Sequence, residues 1–224
     1  YQAYKQRALF VTGTVGYKST FYLDGSYRQD YTSAEPTGTH ISAYSVGASF
    51  VFSDYIKDKS ILSYGKLRAS SGQVVEALLP YDLNVLYTPA AQQFNGNFIM
   101  SEPNTIPSPT LRGSTNNEKE IGIETRWLKN RIGFIFTYWD RTNINFPVNV
   151  NVTQTSGIQA VKTNAGEIAK TGIDIQFFAV PVKKDNFEWT INAAWGRLLK
   201  NEVVAIAPGI DRIVTASGAF STTS

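Results

Sequence analysis

The sequence predicts an all-β chain laid out as an antiparallel, up-and-down wall of a transmembrane β-barrel. Three observations predict it. Eight stretches of roughly ten residues keep an apolar–polar alternation of period two. Short and long connections alternate strictly between them. Aromatic residues gather toward both ends of the stretches, as they do at the two interfaces of a membrane.

Composition agrees with strand. The 224 residues are 42% hydrophobic, 13% aromatic and 17% charged, with 12 Tyr and 13 Phe, a bias toward side chains that suit a pleated surface. The formal charge of +3 is carried by scattered Lys and Arg rather than by a basic run, so nucleic acid is not an expected partner. The lack of cysteine excludes disulfides, thiolate metal sites and a cysteine nucleophile, and it leaves the compartment open. No run approaches the roughly 18 to 20 apolar residues of a spanning helix. The opening YQAYKQRALF lacks the basic-then-apolar layout of a signal peptide, and the chain starts in mid-pattern without Met. It is therefore expected to be a piece of a longer protein.

The predicted strands are 8–17, 20–29, 41–52, 64–73, 118–127, 131–141, 171–180 and 187–197. In the first, Leu9, Val11, Gly13, Val15 and Tyr17 share a face. A turn at Lys18-Ser19-Thr20 places Tyr17 opposite Phe21, Val15 opposite Leu23, Val11 opposite Tyr27 and Gly13 opposite Gly25, so the parity survives the turn. The stretch TFYLDGSYRQDYTS shows the two-sidedness: Phe21, Leu23 and Tyr27 take one face, Asp24 and Arg28 the other. Asp24 and Arg28 are too far apart on their strand to pair, so each needs a neighbouring-strand partner or solvent. Ile121, Ile123, Thr125 and Trp127 continue through Leu128-Lys129-Asn130 into Ile132, Phe134, Phe136 and Tyr138. Ile173, Ile175, Phe177 and Ala179 match Trp189, Ile191, Ala193 and Trp195.

The connections 18–19, 54–63, 128–130 and 181–186 are short, whereas 30–40, 74–117 and 142–170 are long. In a meander this puts every short turn at one end and every long loop at the other, the asymmetry of outer-membrane barrels with short periplasmic turns. The expected lipid-facing residues are Val15, Phe21, Leu23, Tyr27, Ile121, Ile123, Phe134, Phe136, Phe177 and Ile191. The expected lumen-facing residues are Asp24, Arg28, Lys66, Arg68, Glu118, Glu120, Glu124 and Arg126. The same alternation would serve a soluble β-sandwich with its core inside, or a free-standing eight-stranded barrel packed with side chains. Strand length, sorted loops and paired aromatic belts favour a segment of a larger transmembrane wall.

In order and spacing, YKSTFYLDGSYRQD, AYSVGASFVFSD, YGKLRASSGQV, EKEIGIETRWLKNRIGFIFTYWDRTNIN, NAGEIAKTGIDIQFF and FEWTINAAWGRLLKNEV resemble the barrel region of SusC/RagA-type TonB-dependent outer-membrane transporters, from about Ala8 to Val203. Two features depart from that pattern. Ser71 stands where the family usually has an aromatic, and QVVEALLP replaces its usual Gly-Asn continuation, so the start of the 74–117 loop falls outside any alignment. The resemblance implies a 22-stranded barrel in a bacterial outer membrane, of which residues 1–224 form part of the wall. It also implies an N-terminal plug and a TonB-contacting segment, neither of them in this chain, and a SusD-like surface lipoprotein over the mouth. The implied activity is TonB-dependent import of a glycan, oligosaccharide or peptide. The rival role is that of a scaffold subunit in a larger outer-membrane complex.

Candidate chemistry is sparse. Glu118, Glu120 and Glu124 share one face of a strand, where paired acids could in principle hydrolyse glycosides. A lumen wall compensated by Arg126, Arg131, Arg141, Lys66 and Arg68 is the expected reading. His40 is the single histidine and stands in a long loop, too little for a catalytic triad or a multi-histidine metal site. Gly13 and Gly16 precede no helix and make no phosphate cradle. Asn151-Val-Thr153 matches a glycosylation acceptor by chance frequency. No catalytic residues, metal or cofactor are expected, and the chain is read as a non-enzyme. Tyr81, Tyr87, Phe94 and Phe98 in the long loop, with Trp139 on the lumen parity near the mouth, are the candidates for stacking on sugar rings or peptide side chains.

Overall fold

Alternation at period two stabilises nothing until a strand has neighbours, and in the computed structural model every predicted stretch finds them. The structure describes residues 4–36 and 39–205. The strands are β1 (Gln6–Tyr17), β2 (Phe21–Thr32), β3 (Ile41–Phe50), β4 (Leu62–Glu76), β5 (Thr88–Phe94), β6 (Asn97–Ser101), β7 (Thr105–Pro107), β8 (Ser114–Trp127), β9 (Ile132–Ile144), β10 (Pro147–Asn151), β11 (Ala160–Asn164), β12 (Glu167–Lys184) and β13 (Phe187–Ala205). Eight of them build one antiparallel sheet in the order β1-β2-β3-β4-β8-β9-β12-β13. That is an up-and-down meander once the five short strands of the long loops are set aside. The four short connections therefore lie at one end and the three long ones at the other.

Register follows the sequence pattern. Tyr17 pairs with Phe21, Val15 with Leu23, Gly13 with Gly25 and Val11 with Tyr27. One row of partners, Val15-Leu23-Ala48-Ala69-Ile121-Tyr138-Ile173, crosses seven strands on the apolar face. The first turn holds Lys18 at φ 52 and Ser19 at φ 56, and the turn between β8 and β9 holds Leu128, Lys129 and Asn130 at φ 52, 57 and 63. Pro181 has no N–H to give the ladder, and it lies in the register shift between Ala179 and Val182.

Among the described residues no second layer covers the apolar face. Val15 is 67% exposed, Phe134 38% and Ile191 37%, so the sandwich alternative is excluded. The small buried core lies elsewhere, where Ala34, Leu78 and Leu111 pack with Leu83 in the loops beyond the strand ends.

The structure extends most strands beyond the polar–apolar alternation: β12 runs 18 residues and β13 19. Alternation marks only the part of a strand with unlike media on its two faces, whereas backbone pairing continues into water. The third strand is the opposite case. It ends at Phe50, and Phe52–Tyr55 form a single 3-10 turn. The extension of β2 changes one expectation. Arg28 is met at 2.7 Å by Asp30 of its own strand, two residues on and on the same face. Asp24 finds the neighbouring strand, accepting from Thr14 at 2.8 Å.

The long loops carry secondary structure of their own. Asn95 and Gly96 take φ 47 and 76, both positive, and close β5 onto β6 as a hairpin. β7 pairs in parallel with β11, and β10 pairs antiparallel with β11, so a three-stranded sheet joins two different loops.

In the connection 51–61, Ser60 N donates to Asp58 Oδ1 at 2.8 Å. The Ser60 hydroxyl, with this backbone N–H second, holds the Asp58 carboxyl below the ordinary aspartate range. A depressed carboxyl contributes above the unfolded-state value and loses that contribution as pH falls through the lower folded-state value. NMR titration should give Asp58 a lower midpoint in the folded protein than in an unfolded peptide, and Ser60→Ala should raise it toward the peptide value.

Candidate functional site

The polar parity of the strands gathers charged and hydrogen-bonding side chains on one face of the sheet. Arg68 on β4 reaches across β8, passing over Gly122, where an added Cβ would stand 2.8 Å from its Nε. It then donates to Thr137 Oγ1 on β9 at 2.6 Å and lies 3.3 Å from Glu120. Trp139 on β9 lies over Gly172 of β12 in the same manner, and its Nε1 donates to Asp174 at 2.9 Å. Phe178 lies over Gly133. Glycine is needed at these positions for room: a side chain there would occupy the volume of the neighbouring strand's large group.

The carboxylates are individually compensated. Glu118 accepts from Arg141 at 2.6 Å, Glu120 pairs with Arg68, and Glu124 pairs with Arg126 of its own strand at 2.9 Å. Arg126 also lies 5.6 Å from the Tyr64 ring and 5.8 Å from Phe178. Arg131 and Lys66, expected among the counter-charges, make no ion pair with these glutamates among the described residues. Both members of the Arg68–Glu120 pair are about one-third exposed, so it and pairs like it contribute at most about 1 kcal/mol each. Arg68, Glu120, Thr137, Asp174 and Gln176 line a concavity of about 480 Å³. Its donors and acceptors suit a polar, hydrogen-bonding ligand, and each of the three glutamates already has an arginine partner.

All eight residues predicted for the polar face share it: Asp24, Arg28, Lys66, Arg68, Glu118, Glu120, Glu124 and Arg126. The ten predicted apolar residues share the opposite face. Of the stacking candidates, Trp139 is on the polar face, while Tyr81 and Tyr87 lie in the loop between β4 and β5. Phe94 and Phe98, 66% and 76% exposed, sit on the hairpin. Phe94 pairs with Asn97 and Phe98 with Gln93, so these two rings occupy opposite faces of the hairpin and cannot grip one ligand together. Thr137, Asp174 and Phe178 were not singled out from sequence. Their signal was their parity beside Gly122, Gly172 and Gly133.

Beyond the strand ends, Asn164 joins three segments. Its Oδ1 accepts from Arg112 N at 2.8 Å, and its Nδ2 donates to Arg112 O and to Asn145 O. Lys162 meets Asp82 at 2.9 Å and ties the same strand to the other loop. The wall is thereby topped by loops bonded to each other.

A family model described as TonB dependent receptor-like, beta-barrel matches residues 1–220. The chain belongs to this family of outer-membrane barrels. It is 22% identical over 197 residues to the TonB-dependent receptor P39 of Formosa agariphila, covering 85% of this chain and 18% of that one. The RagAB peptide importer in its open-open state superposes with a TM-score of 0.81 at 20% identity, over 96% of this chain and 24% of that one. The siderophore receptor PirA of Pseudomonas aeruginosa superposes at 0.58 and 20% identity, over 87% and 34%. These likenesses show the fold, and the chain spans only about a fifth of P39 and of the RagAB chain.

Two substitutions test the geometry. Gly172→Val should place methyls in the Trp139 ring and destabilise the barrel by about 1–3 kcal/mol, read as a lowered urea midpoint of the full-length barrel. Asn164→Ala should leave that midpoint nearly unchanged. It should speed hydrogen exchange at Arg112 by roughly tenfold, the loss of a bond of about 1 to 1.5 kcal/mol.

Proposed function

We propose that this chain is part of the wall of a TonB-dependent importer that carries a glycan, oligosaccharide or peptide across the bacterial outer membrane. The supporting observation is a single sheet with one uncovered apolar face and one face of compensated charges and hydrogen-bonding groups. On this reading Val15, Phe21, Leu23, Tyr27, Ile121, Ile123, Phe134, Phe136, Phe177 and Ile191 meet lipid. The polar side chains from Asp24 to Asp174 line the water-filled passage. The free edges of β1 and β13 pair with further strands, because unpaired backbone does not persist in hydrocarbon. A plug and a TonB-contacting segment come from polypeptide outside this chain, and a SusD-like lipoprotein closes the mouth. Tyr81, Tyr87, Phe94 and Phe98 meet ligand or lid at the rim, and Trp139 meets ligand in the passage.

Deleting the full-length gene should abolish growth on one defined glycan or peptide source and spare growth on its monomers. Complementation with Trp139→Ala should lower uptake of that nutrient severalfold at equal barrel abundance. Unchanged uptake with a disassembled outer-membrane complex would instead establish the scaffold role.

A further inference from the structure

Two features away from the polar face converge on one place. The first is a trough on the apolar face. Leu23, Ala48, Ala69 and Ile121 are successive partners in one row, and Phe21, Phe50, Leu67 and Ile123 form the row nearer the short turns. The methyl groups of Ala48 and Ala69 leave a depression of about 510 Å³ among Val15, Tyr17, Phe21, Leu23, Phe50 and Leu67. Phe21 and Phe50 stack at 4.7 Å across its lower end. There the Lys18 ammonium lies 5.2 Å from the centre of the Tyr17 ring, which places a cation at the edge of the apolar trough.

The second feature is charge. The first short turn contributes Lys18. The connection 51–61 contributes Lys57 and Lys59 against Asp54 and Asp58. The turn between β8 and β9 carries Lys129 and Arg131 with no acid, and the last carries Lys183 and Lys184 against Asp185 and Glu188. The excess equals the whole formal charge of +3, and the rest of the chain balances to zero. Lys59 pairs with Asp54 and Lys183 with Glu188. Among the described residues no ion pair holds Lys18, Lys57, Lys129 or Lys184.

We propose that the trough and the basic turn beside it bind one anionic phospholipid. An acyl chain lies along Ala48 and Ala69 between Leu23 and Leu67, with its phosphate at Lys18. The short turns of an outer-membrane barrel face the periplasm, so the lipid belongs to the inner leaflet. The depression lets methylene groups fill space that flat packing would leave void, and the ammonium adds attraction for negative headgroups over zwitterionic ones. The site depends on the apolar face meeting lipid and is independent of what the barrel imports.

Native mass spectrometry of the full-length barrel, given equal amounts of phosphatidylglycerol and phosphatidylcholine with identical acyl chains, tests the site. Phosphatidylglycerol should be retained preferentially. Lys18→Gln should lower its retention about fivefold and leave phosphatidylcholine unchanged. Ala48→Leu with Ala69→Leu fills the trough without touching a charge and should lower retention of both lipids, whereas Lys5→Gln at the opposite end should alter neither. Equal retention of the two lipids by the unaltered protein, or undiminished phosphatidylglycerol after Lys18→Gln, overturns the proposal. Heat-dependent gel mobility reports whether each variant is folded, and if the filled trough prevents folding, the turn substitution alone decides. Lost nutrient uptake with lipid retention intact would bear only on the import reading.

Discussion

Backbone pairing in a medium without water is the constraint on which the rest of this wall depends. A strand crossing hydrocarbon has no solvent to satisfy its N–H and C=O groups, so the ladder must run unbroken through the apolar band. Between its registered partners, β9 keeps unshifted pairing with both β8 and β12 from Ile132 to Ile144. The irregularities fall toward strand ends: near Leu62 in β4, and at Glu167, Thr171 and Pro181 in β12. Those are levels where water or an interfacial aromatic can receive a freed backbone group.

A ladder that continuous leaves side chains as the only variable, and they divide by face. On the apolar face the aliphatic groups and phenyl rings need no partners and their demand is for contour alone, while the Tyr27 hydroxyl meets Ser42 of β3. On the polar face Arg68, Trp139 and Phe178 lie down across a neighbouring strand. Lying down requires space on the next strand, and glycine supplies it beneath Arg68, Trp139 and Phe178. Gly122, Gly172 and Gly133 are therefore complements of particular large residues.

This division explains what the sequence revealed and what it hid. Period two displayed the eight wall strands, their register and both faces, because each residue in the band reports its medium directly. It failed beyond Gln29 in β2 and before Thr171 in β12, where polarity no longer alternates although pairing continues to Thr32 and back to Glu167. Asp30 was lost to a loop for this reason, and with it the partner of Arg28. The hairpin at Asn95-Gly96 carried a readable turn signal that a long-loop reading passes over. The parallel contact of β7 with β11 carried none: Thr105 and Ala160 are distant in sequence and meet only because the wall brings their loops together.

On the proposed import reading, the charge pairs of the polar face bear on how a ligand is selected. Arg28 with Asp30 and Arg126 with Glu124 neutralise within a strand, and Arg141 with Glu118 and Arg68 with Glu120 neutralise between adjacent strands. A wall balanced at this range has little net potential beyond a Debye length of about 8 Å, so it does not sort ligands by charge at a distance. What it offers at contact is a dense set of donors and acceptors beside a tryptophan. Discrimination by size or shape then falls to the rim, where Asn164 and Lys162 lock two loops into one body and the hairpin carries its exposed rings. Rigidity at that position has a consequence on the same reading: loops cross-linked through Asn164 and Lys162 keep a fixed outline, and such a surface distinguishes ligands by geometry more sharply than a loose loop can.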